Sequence, residues 1–295
     1  MPAAALLLVL ASALCHAAWN FLLKRAGGSH AFVALSNGSE AVVFLPAFAG
    51  VALAGGVRGA TVGGVAAYAA VGTAFVLAGY ATLGAAYRHG DLSFVYPIAR
   101  GGTLLFLPLL GYAAFGEAVG PAGWAAVAAI VAGVGVMQLT ELSWGAVRAF
   151  RARARGAAAG LALLMGLVLA GGAVWDKYAV RVVPLFAYFY AYTAAAGACY
   201  VAFVARREGW GALRAAWRSH GRSAVAVGVL NTASYGLVLA ALRDGTATYV
   251  VGVRQLSIVA GVALGAWLLG ERVSAARRVG VGLVVAGCLL MATGR

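Results

Sequence analysis

Two arginines lie within the most apolar segments of this chain. Arg100 occurs in SFVYPIARGGTLLFLPLLGYAAFGE, and Arg254 occurs in TYVVGVRQLSIVAGVALGAWLLGE. An arginine at the centre of a membrane helix costs about 2.5–3.5 kcal/mol on insertion scales. A guanidinium can hold a carboxylate, a phosphate or a polar head group through charge-assisted hydrogen bonds. The pair is therefore predicted to bind the anionic or polar part of a ligand. The alternative is that each arginine only ties helices together by bonding carbonyls or an acid.

Glu40 is a third ionisable side chain in an apolar segment, and the second half of the chain has no acidic counterpart to it. Burial disfavours the charged form of a lone carboxylate. Such a group suits proton coupling, because it can take up a proton on one side of a membrane and release it on the other. Glu40 could equally be a static partner of Arg100 or Arg254 that offsets the cost of their burial. Both interpretations remain open at this point.

The first apolar segment carries polar and aromatic residues on one helical face. His16, Trp19 and Asn20 follow an i, i+3, i+4 spacing, which places them together on a helix. Trp175 occupies the position of Trp19 in the second half. The alternative for His and Trp on an apolar helix is simple packing. The residues predicted to line a binding cavity beside the two arginines are Trp19, Asn20, Tyr96 and Trp175, and His16 is predicted to assist Glu40 in proton coupling.

These side chains must be positioned by membrane-spanning helices. Hydrophobic residues make up 63% of the 295 residues and charged residues only 10%, whereas soluble domains average about 25% charged. A spanning helix needs roughly 20 apolar residues. The sequence therefore predicts an all-α integral membrane protein with ten transmembrane helices, near residues 3–23, 31–55, 62–87, 92–115, 119–140, 157–180, 184–205, 222–242, 246–269 and 274–293.

The chain also repeats itself. Residues 1–150 and 151–295 are predicted to be two copies of one five-helix unit. Because five is odd, the second copy enters the membrane from the opposite side, which gives an inverted repeat. Inverted repeats are typical of secondary transporters, with the site near the midplane between the repeats. The matching pairs are Tyr80 with Tyr235, Arg88 with Arg243, Gly90 with Gly245, Arg100 with Arg254, and Gly116-Glu117 with Gly270-Glu271.

Charge and motifs exclude several classes of function. The net charge of +14 comes from basic connectors, which set membrane topology and meet lipid head groups, and no nucleic-acid motif is present. Connectors after odd-numbered helices carry fifteen Lys and Arg against five on the other side, so the positive-inside rule favours both termini outside the cytoplasm. The sequence contains no HExxH, GxSxG or Walker motif and no Cys/His cluster. We therefore expect neither an enzyme nor a cofactor or metal.

The ordered motifs resemble the EamA-type branch of the drug/metabolite transporter superfamily. The resemblance covers nearly the whole chain and implies ten helices in two inverted repeats around a central cavity. It also implies export or import of amino acids, metabolites, drugs or nucleotide sugars. Members of this group usually have both termini in the cytoplasm, in contrast to the charge bias here. The motifs are His16-Ala17-Ala18-Trp19-Asn20 with Lys24, Tyr96-Pro97-Ile98-Ala99-Arg100-Gly101, Gly116-Glu117, Trp175-Asp176-Lys177, Arg254-Gln255-Leu256-Ser257 and Gly270-Glu271.

Taken with this resemblance, the residues predict a multi-pass secondary transporter of the plasma (inner) membrane that works by alternating access. Its expected partners are a small organic solute, membrane lipids and protons, and it is expected to be a monomer or a homodimer. The resemblance favours efflux of an amino acid or related metabolite. Two alternatives are a flippase for a lipid-linked precursor, which requires a cavity open sideways to lipid, and a sensor that binds without transporting.

Overall fold

The computed structural model describes residues 2–54, 62–270 and 272–293, and the regular structure in these ranges is helical throughout. Each apolar segment forms a helix, in which the backbone N–H and C=O groups bond one another, as the interior of a bilayer requires. The helices are α1 (Ala3–Arg25), α2 (His30–Leu53), α3 (Val62–Tyr87), α4 (Leu92–Phe115), α5 (Pro121–Val136), α6 (Trp144–Arg153), α7 (Ala157–Val182), α8 (Leu185–Asp244), α9 (Ala247–Val253), α10 (Leu256–Leu269) and α11 (Ala275–Thr293).

The ten predicted spans are confirmed. Eight candidate spans in the described residues are long and apolar enough to cross a membrane, with α9 and α10 counted as one. The 60-residue α8 contains two spans, because its backbone leaves the helical region at Gly209 (φ 81°) and His220 (φ −138°). The 16-residue α5 is apolar but shorter. The chain is therefore an all-α, multi-pass membrane protein.

Two helical segments are too polar to span and lie between spans. The sequence did not lead us to predict α6, which carries Arg151 and Arg153 in its last turn and buries none of its residues. The other is residues 210–219 of α8, bounded by the two breaks. Trp210 and Trp217 are exposed there, whereas Leu213 is only 4% exposed and packs beside Ala31 and Ala34. Exposed tryptophans among arginines suit a membrane interface.

Antiparallel succession of the spans defines two ends of the bundle. We call one end the basic face: it holds the end of α1, the start of α4, α6, residues 210–219 and the start of α11. Arg153 lies 3.6 Å from Asp91 across it, joining α6 to the start of α4. We call the other end the opposite face, and it holds the end of α4, the end of α7 and the start of α9.

Small residues allow close helix packing, which is the main source of association in lipid. Helix α5 packs along α11, where a Cβ at Gly280 would lie 2.5 Å from the Gly133 carbonyl oxygen. Helix α7 packs along α4, where a Cβ at Gly166 would lie 2.8 Å from the Ala99 carbonyl oxygen. The second contact fixes the backbone of α4 immediately before Arg100.

The two arginine-bearing spans differ in continuity. The span carrying Arg254 is interrupted: α9 ends at Val253, α10 begins at Leu256, and Gln255 N donates to Gly252 O at 2.9 Å in an i→i−3 bond. The span carrying Arg100 is continuous although it contains Pro97, since α4 runs unbroken from Leu92 to Phe115. A proline so near the start of a helix removes a single backbone bond, and membrane helices tolerate that loss.

Candidate functional site

A central cavity of about 310 Å³ lies between α1, α4, α5, α10 and α11. Arg277 at the start of α11 and Gln138 just past the end of α5 line it, so the cavity extends to the basic face. A concave space with a few convergent polar groups is the usual form of a ligand site. Its lining residues are His16, Asn20, Tyr96, Pro97, Arg100, Val134, Met137, Gln138, Ser257, Ile258, Gly261, Val262 and Arg277.

Arg100 is held on the cavity wall by α4. Its guanidinium carbon lies 6.0 Å from the centre of the Tyr96 ring, one helical turn earlier. Its Nε and Nη2 atoms are buried and have no hydrogen-bond partner among the described residues. Buried donors of this kind are costly unless a ligand or water accepts from them. Arg100 is therefore a cation with free hydrogen-bonding capacity that faces the cavity.

Arg254 lies at the interruption between α9 and α10 and is only 7% exposed. Its Nη2 donates to Nδ1 of His16 at 3.2 Å, and its guanidinium carbon lies 5.2 Å from the centre of the Tyr235 ring. Its Nε has no partner among the described residues. Arg254 does not line the cavity directly but stands behind His16, which does.

His16 connects the two sides of this arrangement. Trp19 Nε1 also donates to His16 Nδ1 at 3.2 Å. Because two N–H donors converge on Nδ1, this nitrogen is an acceptor and the ring proton resides on Nε2. Asn20 Nδ2 bonds the His16 carbonyl at 2.7 Å. The imidazole is thus a fixed, neutral wall of the cavity.

Two predicted lining residues are placed elsewhere, and this corrects the sequence-based prediction. Trp19 packs against Phe32 and Val227 beside the cavity. Trp175 lies near the opposite face, where its Nε1 donates to Tyr68 O at 3.1 Å and its ring stacks on Tyr68 at 5.4 Å. Trp19 lies six residues before the end of α1 and Trp175 seven residues before the end of α7, and these two helix ends lie at different faces of the bundle, so Trp175 is far from the cavity that extends to the basic face. His16, Asn20, Tyr96 and Arg100 are brought together as predicted.

Glu40 is buried on α2, at 4% exposure, and does not line the cavity. Its Oε1 accepts a hydrogen bond of 2.8 Å from Nδ2 of Asn231 in α8. The alternative in which Glu40 is a static partner of Arg100 or Arg254 is not supported, because its hydrogen-bond partner is the amide of Asn231 from the neighbouring helix. Its part in proton coupling remains a prediction.

The structure contains two buried polar clusters that the sequence analysis did not predict. Asp176 is 5% exposed and accepts hydrogen bonds from the hydroxyls of Tyr188 and Tyr235. Near the opposite face, fully buried Lys177 pairs with Glu117 and donates to Gly245 O at 2.5 Å. Adjacent residues point apart on a helix, which indicated that Asp176 and Lys177 bond different helices but not which ones.

Three polar lining residues were also missed: Gln138, Ser257 and Arg277. Gln138 and Arg277 lie at helix ends among connector residues. Polar and charged residues at such positions were interpreted as parts of the connectors and not as ligand-binding residues. Ser257 directly follows the Arg254-Gln255 motif, and that adjacency was the available signal. In the described part of the chain, no three His, Cys, Asp or Glu side chains are grouped as metal ligands.

Comparison with known proteins supports the fold over nearly the whole chain and gives a family match over its second half. Residues 156–293 match the EamA-like transporter family. A solved structure described only as "Crystal structure of protein" superposes with a TM-score of 0.72 at 16% sequence identity, covering 99% of this chain and 97% of that one. This second likeness concerns the fold alone. No curated protein matches the sequence.

Proposed function

We propose that the chain is a transporter of the drug/metabolite type that moves a small organic solute bearing an anionic group. Its residues 156–293 match the EamA-like transporter family, and its helices cross the membrane many times. The single observation that carries this proposal is the pair of buried guanidinium groups around the central cavity. Arg100 and Arg254 keep N–H donors without a partner among the described residues, and buried donors favour a ligand that accepts from them.

We propose alternating access between residues 1–150 and 151–295 as the mechanism. The helix pairing supports an inverted repeat, because contacts in one half have equivalents in the other. The contact of α1 with the second span of α8 corresponds to the contact of α7 with α3. The contact of α4 with α7 corresponds to the contact of α10 with α1. Helices α5 and α11 pair with each other. Left-handed glycines follow both arginine-bearing spans, Gly116 at φ 68° and Gly270 at φ 64°. The Glu271 expected beside Gly270 lies outside the described residues.

The solute in this proposal enters from the basic face, because the cavity extends there, whereas the buried ion pair of Lys177 with Glu117 lies near the opposite face. If that face is cytoplasmic, as the positive-inside rule favours, the direction is efflux across the plasma membrane. Proton coupling through Glu40 is part of the same proposal, supported by the burial of its carboxyl group and by its hydrogen bond to the neutral amide of Asn231.

The test is a thermal-shift screen of the purified protein against organic anions, followed by uptake into sealed proteoliposomes. We expect an anion to stabilise the wild type and to be transported, and Arg100→Ala and Arg254→Ala each to lose at least ten-fold in affinity. Arg153→Ala is the matched control, since Arg153 is exposed on α6. An equal response of all four proteins would overturn the proposal, and binding without uptake would indicate a sensor instead.

A further inference from the structure

A second cavity of about 240 Å³ adjoins the central one. Pro97, Val134 and Gln138 line both cavities and form the boundary between them. We call this second space the apolar pocket. Its remaining lining residues are Ile98, Gly101, Gly102, Leu105, Val131, Gly135, Phe150, Ala154, Ala159 and Leu163.

The chemistry of the apolar pocket differs from that of the central cavity. Gln138, on the shared boundary, is the one lining residue in the described chain with a polar side chain. Gly101 and Gly102 directly follow Arg100 in α4, so the pocket begins immediately beside the guanidinium-bearing residue. An ideal Cβ at Gly135 would have no atom within 4 Å. The pocket thus offers open apolar space next to unpartnered cationic donors.

The charges of the central cavity are of one sign. Its lining includes Arg100 and Arg277, and no Asp or Glu side chain of the described residues contributes to it. The two buried acids among the described residues have other partners: Glu40 bonds Asn231, and Asp176 bonds two tyrosine hydroxyls. An ammonium group placed here would lack a counter-charge and would be repelled by the guanidinium groups.

From these features we infer that the transported solute is an amphipathic organic anion without an ammonium group. Its carboxylate is held at Arg100, with the positive charge of Arg254 behind His16, and its aliphatic or aromatic part fills the apolar pocket. This inference rests on the proposed function and specifies its substrate class. It disfavours the zwitterionic amino acids that the family resemblance put first.

The test measures dissociation constants by calorimetry for straight-chain carboxylates of two to eight carbons, with the protein in lipid nanodiscs. Each methylene that enters the pocket is expected to tighten binding to the wild type by about four-fold. Alcohols of equal length control for partition into the bilayer, and we expect them not to bind measurably. An amino group added next to the carboxylate of the best ligand should weaken binding at least ten-fold.

Gly135→Leu is the decisive variant, because Gly135 lines the apolar pocket and an ideal Cβ there has no atom within 4 Å, so a leucine side chain starts in open space and is expected to occupy the pocket. We expect this variant to bind the shortest carboxylates as the wild type does and to lose the gain with chain length. Gly282→Leu is the matched control, since Gly282 also has no atom within 4 Å of an ideal Cβ and is exposed on α11.

The outcomes separate the two proposals. A wild-type series without gain per methylene, or an unchanged gain in Gly135→Leu, overturns the pocket assignment and indicates that bilayer lipid occupies that space. An amino acid that binds as tightly as its deaminated analogue overturns the exclusion of zwitterions. Failure of every carboxylate to bind, with Arg100→Ala like the wild type, overturns the anion site itself and therefore the proposed function.

Discussion

The arginines illustrate how one residue type can have two environments. Arg100 faces the cavity from a continuous helix, whereas Arg254 lies at a break and reaches the cavity through His16. Both keep buried donors without a partner among the described residues. Both arginines therefore have N–H groups that are free to donate to a ligand within the membrane-spanning part of the protein, as an anion-binding site requires.

Asp176 gives a prediction at the same scale. Its carboxylate accepts from the buried hydroxyls of Tyr188 and Tyr235. Asp176→Ala leaves both hydroxyls without an acceptor, and a buried donor left unsatisfied costs about 1–3 kcal/mol. We expect Asp176→Ala to lower the thermal unfolding midpoint in detergent by several degrees, and Asp176→Asn, which keeps an acceptor oxygen, to lower it less. Equal midpoints for the two variants would contradict this account.

The sequence allowed several residues of the site to be chosen by type, but it did not allow their contact partners to be predicted. Arg100, Tyr96, His16 and Asn20 could be chosen from sequence, because polar side chains in apolar spans are costly and few. The Asn231 partner of Glu40 is 191 positions away in the chain, and no local pattern carries that information. Trp175 was misplaced because repeat alignment gives a position along a helix but not its depth in the bundle.

At the scale of helices, α5 and α11 are joined by backbone contact through glycine. A Cβ at Gly280 would meet Gly133 O at 2.5 Å, whereas one at Gly282 would meet nothing within 4 Å. Gly280→Ala should therefore separate the helices and cost about 1–3 kcal/mol, the range for overpacking a tight interface. Thermal unfolding should show a clearly lower midpoint for Gly280→Ala than for the control Gly282→Ala.

Helix positions were predictable because apolar length determines a span. The break at Arg254 and the continuity of α4 through Pro97 do not follow from apolar length. Proline removes a backbone bond wherever it occurs, but its effect on a helix depends on what packs there. In α4 the adjoining α7 fits closely against Ala99 through Gly166, and this tertiary contact cannot be read from local sequence.

For the whole molecule, the contacts at the opposite face join the proposed halves. Glu117 from the first half accepts from Lys177 and from the Ala247 N–H of the second half, the latter at 3.0 Å. Glu117→Gln keeps the shape but loses the charge that compensates buried Lys177. We expect hydrogen exchange at the turn before α9 to accelerate about ten-fold in Glu117→Gln.

The control for that measurement is Glu141→Gln, because Glu141 lies on an exposed connector and bonds Ser143. Exchange at the same turn should match the wild type in this variant. Unaltered exchange in Glu117→Gln would show that the ion pair does not hold the opposite face closed.

The uneven distribution of arginines between the two faces has a kinetic consequence. Arg277 stands at the cavity mouth, with Arg151 and Arg153 of α6 on the same face. A positive potential focused on a cleft raises the encounter rate of anions, and salt weakens it over about 8 Å at physiological ionic strength. Anions should load faster from this face than from the other even at equal affinity. The carrier would then act as a partial rectifier whose asymmetry fades as salt is added.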